Sequence, residues 1–427
     1  MADMQERATL SYISPLEAAS ALVGVNEPCA LLYSGLQMPH SGRFSYLAWD
    51  LADTIEGERW QPLADSLSND QPWHSNAWFG YCAYELKDRL EQLPDVPPAP
   101  INIPHLHFMQ FNKLLRFDHI TGTLTYFSTT EDTLSWPPAH VARSTALPEV
   151  ANIHSNMDRA RYIQSVKDTL EQIKAGNFYQ ANITRKFFGT LEAPPDSLAL
   201  FSALCAISPS PYSSFLRLPD GKAILSSSPE CFVHIDQKRH IITRPIKGSA
   251  PADSDKNTLA HSQKDKAENL MIVDLMRNDL SRVCETGSVK TDSLHTIESY
   301  STIHHMVSTI SGVLREDATA LDAVKACFPP GSMTGAPKIR AMQWCSEQEQ
   351  IARGVYSGAL GWFGGDGSAD LSVVIRTLLL DENRFEFQVG GGIVADSEPE
   401  KEWQETLVKA RGIGKALQLD EDQLAAL

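Results

Sequence analysis

The sequence predicts an α+β fold built on antiparallel pairing, and three observations point there. Tyr356-Ser-Gly-Ala-Leu-Gly-Trp-Phe363, Asp370 to Leu380 and Arg384 to Val394 read as consecutive strands joined at Gly364-Gly-Asp-Gly367 and Asp381-Glu-Asn383; joins this short bring strands back as hairpins. Ala223-Ile-Leu-Ser-Ser227, Cys231-Phe-Val-His-Ile235 and Ile241-Ile-Thr-Arg244 read as further strands. Ahead of them, Asp158 to Ala175 carries Ile163, Val166, Leu170 and Ile173 at helical spacing, with Asn156 as N-cap and Gly176 just past the end.

The first part of the chain mixes short apolar runs such as Cys29-Ala-Leu-Leu-Tyr33 with turn-rich stretches, which reads as strands and short helices. Pro94-Asp-Val-Pro-Pro-Ala-Pro100 and Trp136-Pro-Pro138 continue neither helix nor central strand, and the segment from about 129 to 155 is the expected boundary between units of residues 1–150 and 151–427. A chain of 427 residues, 42% hydrophobic, can bury a substantial core. Its net charge of −16, with no basic run interleaved with aromatics, argues against nucleic acid or an anionic membrane as partner. Seven cysteines, an odd number without a CxxC pair, indicate reduced, packed thiols rather than disulfides or a zinc site. Met1-Ala-Asp-Met-Gln-Glu-Arg7 lacks a basic region followed by an apolar stretch, and no apolar segment reaches bilayer length, so a soluble cytoplasmic protein is expected.

Three features carry chemistry. Lys247, in Thr243-Arg-Pro-Ile-Lys-Gly-Ser249, lies on a strand running into a glycine turn; partial loss of water there would lower its pKa and free the amine as a nucleophile. Asp265-Lys-Ala-Glu268 and Glu402-Trp-Gln-Glu405 each put two carboxylates on one helix face, and two such faces across a cleft would offer hard oxygen ligands suited to magnesium. Gly331-Ser-Met-Thr-Gly-Ala-Pro-Lys338 is a Gly-rich loop entering a helix, with Pro337 near its start. Its pattern is not that of a Walker loop, and a carboxylate suits it better than a nucleotide. Gly390-Gly-Gly392 marks a place where backbone must approach a ligand closely.

Together with Phe178-Tyr-Gln-Ala-Asn182, Ser226-Ser-Ser-Pro-Glu230, Ala267 to Asp279, His304-His-Met-Val-Ser308 and Gly391-Gly-Ile-Val-Ala-Asp396, these stretches resemble the chorismate-utilising enzymes, densely from about Asn177 to Gly412 and more loosely before residue 130. The resemblance implies two facing antiparallel sheets flanked by helices, with the active site in a cleft and residues 151–427 as the chorismate-binding unit. It implies that the Lys247 amine adds to the chorismate ring and displaces the ring hydroxyl, that ammonia then displaces the lysine, and that Glu230 is the general acid for the departing hydroxyl. It assigns Mg2+ to Glu268 and Glu405, with Asp265 and Glu402 acting through water. Tyr356 and Arg376 match positions that hold the enolpyruvyl carboxylate, and Lys409 a ring-carboxylate contact. Gly248, Ser249, Thr334, Gly391 and Gly392 correspond to cavity-lining positions, and His305 sits near the ring.

Lysine at 247 distinguishes this chain from relatives that make anthranilate, which look like Pro-Ile-Ala-Gly there. Ser249 stands where threonine is more typical and keeps the hydroxyl. Ser208-Pro-Ser-Pro-Tyr212 departs from the Asn-Pro-Ser-Pro-Tyr of relatives whose N-terminal pocket binds tryptophan, although Ser34, Pro211 and Tyr212 retain part of such a pocket. No glutamine amidotransferase motif occurs in the chain, so ammonia is expected from a separate glutaminase subunit in a heterodimer. Two alternatives stand beside this reading: an anthranilate-forming enzyme, and a relative that only binds ligand or the glutaminase. Intact Lys247, Glu230, Glu268 and Glu405 speak against the second.

Overall fold

The structure is a computed structural model describing residues 3–37, 41–68, 70–139, 146–299 and 303–427. Of the boundary segment at about 129 to 155, residues 140–145 lie outside the described set. Among the described residues twenty strands form one hydrogen-bonded network, and every ladder used below is antiparallel. The network has two lobes, joined at the long strands Phe44–Gly57 and Leu106–Asp118, which pair along their whole length.

The first lobe runs from Cys29–Tyr33 through Tyr212–Arg217, Ala223–Ser228, Thr377–Asp381 and Arg384–Ile393 to Gln180–Leu191. The second runs from Trp78–Cys82 through Ala359–Phe363, Ala369–Val373, Cys231–Ile235 and His240–Arg244 to Ile303–Val313, which also carries the lysine strand Ile246–Pro251. Strands from before residue 150 thus pair with strands far beyond it in both lobes.

Period-two alternation decides what each face meets. In the first lobe Leu47, Phe215, Leu225 and Leu378 join a core with helices Arg159–Lys174, Ser197–Ile207 and Pro399–Ala416. Their neighbours Ala48, Leu216, Ile224 and Leu379 enter a second core, shared with Phe79, Tyr81, Leu360 and Trp362 of the other lobe. Trp78, Cys82, Ala359 and Phe363 turn to a third core with helices Gln263–Ser281 and Ala320–Cys327. The lobes therefore face one another across a common core, with helices on the outer sides: the α+β arrangement of two opposed antiparallel sheets. The two acidic helices belong to different lobes, so whatever lies between them lies at the seam.

Local expectations fared unevenly. The hairpins at 364–367 and 381–383 form, and Gly176 follows its helix with φ +79°. Asp158 caps that helix, its carboxylate accepting from the Arg161 N–H, whereas Asn156 donates to the Glu349 carbonyl and accepts from the Lys186 N–H. The single strand expected from Asp370 to Leu380 is two, Ala369–Val373 and Thr377–Asp381, broken where Arg376 takes φ +51°. Pro337 stands near the start of the helix Lys338–Glu349 as expected, as its N-cap. All seven cysteines are buried, and none is joined in a disulfide. Among the described residues no helix is long and apolar enough to cross a membrane.

Candidate active site

The lysine strand, from the second lobe, brings Lys247 beside the strand Arg384–Ile393 of the first. A Cβ on Gly392 would lie 3.5 Å from the Lys247 Nζ and 2.5 Å from the Gln180 Nε2; one on Gly391 would lie 3.0 Å from a Glu402 carboxylate oxygen and 3.9 Å from one of Glu405. Two successive residues without side chains thus let an amine and two acids approach the same strand. Gly248 has φ +77°, and a Cβ there would fall 2.9 Å from the Asp265 carboxylate. Glycine answers both demands at once.

Glu230 follows the strand Ala223–Ser228 and is 4% exposed. Its N–H donates to the Ser228 hydroxyl, which donates to the Val373 carbonyl at 2.6 Å, fixing the turn that aims the side chain. Burial raises its carboxyl from an ordinary 4.5 to about 7, outweighing the Ser332 hydroxyl, the charge of Lys247, the Ile246 N–H and the charge of Arg376, all of which favour ionisation. Near neutral pH the group is therefore a reservoir of both forms, as a general acid requires.

Asp265 and Glu268 ride on the first acidic helix, whose Ser262 cap accepts the Asp265 N–H. Burial raises Glu268 and Glu402, while the adjacent Lys409 ammonium lowers Glu405. Ser397 donates to Glu402 at 2.7 Å, and Lys409 bonds Glu405 and the Gly390 carbonyl, each at 2.7 Å. Among the described residues no three acidic, histidine or cysteine side chains already stand together as a metal-ligand set. The four acids nevertheless converge from two helices on one seam, with the Lys264 ammonium 3.8 Å from Glu268 and 3.6 Å from Glu402.

A cavity of about 160 Å³ is lined by Pro229, the residue before Glu230, with Ile246, His305 and Arg376. Ser249 bonds His305 through Nδ1 at 2.6 Å. Burial drives the imidazole down to about 3, with help from Arg376 and His304, so it is neutral there. Tyr356 is buried, its phenol raised by that burial, and the next N–H, of Ser357, donates to the Val374 carbonyl in the segment leading to Arg376. Thr334 faces inward: fully buried, it donates to the Gly331 carbonyl and accepts the Asn182 N–H. Lys338 is spent within the fold on Asp279 and on the Cys327 and Pro329 carbonyls. Ser34, Pro211 and Tyr212 line a separate cavity of about 630 Å³ with Tyr46, Trp73 and Trp362.

Four residues lay outside the sequence reading. Ser332 and Gln180 sit inside quoted motifs without a role; the Gln180 amide is wholly buried with no hydrogen-bond partner among the described residues. Lys264 precedes Asp265 and reads as an ordinary solvated lysine. Arg353 is 1% exposed and donates to both Glu349 oxygens, the Met333 and Asn182 carbonyls and the Ser357 hydroxyl. It thereby ties the loop before Thr334, the strand opposite Gly392 and the segment after Tyr356 to one planar group. Only its burial could have flagged it.

A carboxyl raised by burial to about 7, which the charge of Lys247 reaches, thus shares one seam with the two acid pairs. The chain belongs to the chorismate binding enzyme family, whose model matches residues 31–415. It is 38% identical over 363 residues to aminodeoxychorismate synthase component 1 of Escherichia coli, covering 82% of this chain and 79% of that one. It is 35% identical over 365 residues to anthranilate synthase component 1 of Thermus thermophilus, covering 80% and 77%. The crystal structure of anthranilate synthase component I from Streptococcus pneumoniae superposes with a TM-score of 0.75 at 27% identity, over 90% of this chain and 93% of that one.

Two outcomes follow. The Glu230 carboxyl titrates near 7 folded and near 4.5 unfolded, so ionising it costs stability as pH rises through that window. Glu230→Gln should raise Tm near pH 8, with the gain shrinking toward about pH 5, and lower kcat about 100- to 10,000-fold; a Tm at pH 8 no higher than that of the natural chain contradicts the assignment. Arg353→Met should cost about 3–5 kcal/mol in denaturant unfolding, because it leaves the Glu349 charge buried and unpaired.

Proposed function

We propose that this chain is component I of an aminodeoxychorismate synthase, converting chorismate and ammonia to 4-amino-4-deoxychorismate for 4-aminobenzoate and folate synthesis. The observation that carries the reading is the Lys247 amine standing over Gly392, in reach of the same cleft as Glu230 and the two acid pairs. The Lys247 amine adds to the ring, the double bonds shift, and the carbon–oxygen bond to the hydroxyl breaks as Glu230 delivers a proton, so that water leaves. Ammonia then adds with the reverse shift and expels the lysine amine, leaving nitrogen where oxygen was. Two displacements replace one difficult one.

Arg376 and Tyr356 serve as the enolpyruvyl carboxylate contacts, and neutral His305, aligned by Ser249, faces the ring without adding charge. Magnesium suits the acid pairs: carboxylate oxygens are its preferred donors, and the missing Cβ of Gly391 leaves room beside Glu402 and Glu405. Glu268 and Glu405 would hold it directly and Asp265 and Glu402 through water, and when bound it neutralises the ring carboxylate. Ammonia comes from a separate glutaminase subunit, in keeping with the absence of an amidotransferase motif.

A second reading, anthranilate synthase component I, draws on the 35% identity and the matched crystal structure of that name. Mass spectrometry of products from chorismate, ammonium and Mg2+ separates the two. We expect 4-amino-4-deoxychorismate without the glutaminase and no anthranilate, and loss of at least about 100-fold in turnover for Lys247→Ala; anthranilate, or full turnover by that variant, defeats the proposal. The larger cavity, with aromatic walls whose rings stand 5.3 to 5.8 Å apart, is proposed to take tryptophan. Calorimetry should detect its binding, and a flat titration of protein that releases no tryptophan on denaturation ends that idea.

A further inference from the structure

We propose that Lys264 is an internal counter-ion of the acidic seam, competing with the divalent cation for the same carboxylates, so that cation binding requires its ammonium to swing away. The proposal rests on the metal reading above and names the residue that sets the affinity.

Lys264 lies in the first turn of helix Gln263–Ser281. Its Nζ stands 3.8 Å from Glu268, one turn along the same helix, and 3.6 Å from Glu402 on the helix of the opposite lobe. A committed charge-assisted bond is nearer 2.7 to 2.9 Å; the ammonium spans two acids without closing on either. Its influence also reaches Glu405. It therefore sits electrostatically where a cation shared by the two helices belongs.

The neighbouring cations are differently held. Lys409 closes on Glu405 and on a strand carbonyl, both at 2.7 Å, and Lys247 reaches toward Gly392 in the reaction cleft. Of the three, Lys264 alone combines loose contacts with an escape route: its side chain is 47% exposed, against 12% for Glu268 and 3% for Glu402. It can leave by rotating its own flexible stem into solvent, with no core residue moving. Four carboxylates on two helices repel one another, and this ammonium offsets part of that repulsion across the lobes. The same positive charge opposes an incoming divalent cation, so the site is tuned to weak, exchangeable binding rather than to permanent retention.

The test uses the full chain, titrated with Mn2+ alone and followed by electron paramagnetic resonance and calorimetry. Lys264→Met keeps the apolar stem and removes the charge; Lys264→Arg keeps the charge. We expect Lys264→Met to bind Mn2+ at least about tenfold more tightly than the natural chain, and Lys264→Arg to stay within about threefold of it. Without the ion Lys264→Met should melt lower than the natural chain, and saturating Mn2+ should raise its Tm more. Equal or weaker Mn2+ affinity in Lys264→Met, with the natural chain binding normally, overturns the proposal and leaves the metal reading standing. If neither the natural chain nor the variants bind Mn2+ differently from Glu268→Gln, the metal reading falls and takes the proposal with it.

Discussion

The cleft depends on one buried guanidinium. Arg353 sits where three segments distant in sequence must meet, and its planar donors fix a spacing that no apolar side chain of similar volume would impose. Through the Asn182 carbonyl it holds the strand opposite Gly392, through the Met333 carbonyl the loop that carries Ser332 and Thr334, and through Ser357 the turn after Tyr356. Glu349 closes the arrangement by accepting the Thr184 N–H as well as the guanidinium. The Tyr84 ring lies 4.5 Å from the guanidinium carbon, so the charge is covered on a face where no donor projects. Such a pair adds little net stability over a well-packed apolar core, but leaving either half alone is costly, which makes the geometry hard to relax.

On that frame the cleft separates carboxyl groups by environment. Glu230, enclosed on its turn, is pushed up by burial until it holds a proton near neutrality. Glu405, beside the Lys409 ammonium, is pushed down and stays anionic. One kind of side chain is thereby driven in opposite directions by two environments that both feel the Lys247 charge, the pattern by which a single pocket can hold a protonated and an ionised carboxyl together. Glycine at 391 and 392 is the counterpart of this crowding: the backbone withdraws so that the charged groups can approach.

The hairpins, both acidic helices and the lysine strand were legible because each is written in residues within a few positions of one another. Even at that range rivals were misjudged. Asp158 took the helix cap from Asn156, whose amide is claimed by Glu349 nearly two hundred residues away, and Arg376 broke a run of apolar residues that periodicity alone reads as one strand. The acid pairs could be recognised as helix faces from their spacing, but nothing local says that the two faces share a seam. Ser332, Gln180, Lys264 and Arg353 carried no signal above that of ordinary polar residues, since their importance lies wholly in what burial and long-range contact place beside them.

By itself the sequence determined the class of fold, the side-chain types brought to the chemistry and the helical faces that carry them, because backbone preference and side-chain periodicity act over a few residues. Only the tertiary structure decided which lobe each acidic helix joins, how far burial raises Glu230, and that Lys264 stands between Glu268 and Glu402. Those outcomes follow from desolvation and Coulomb interaction, which depend on distance in space and on the water excluded between groups, and neither quantity exists until the two sheets have closed on their common core.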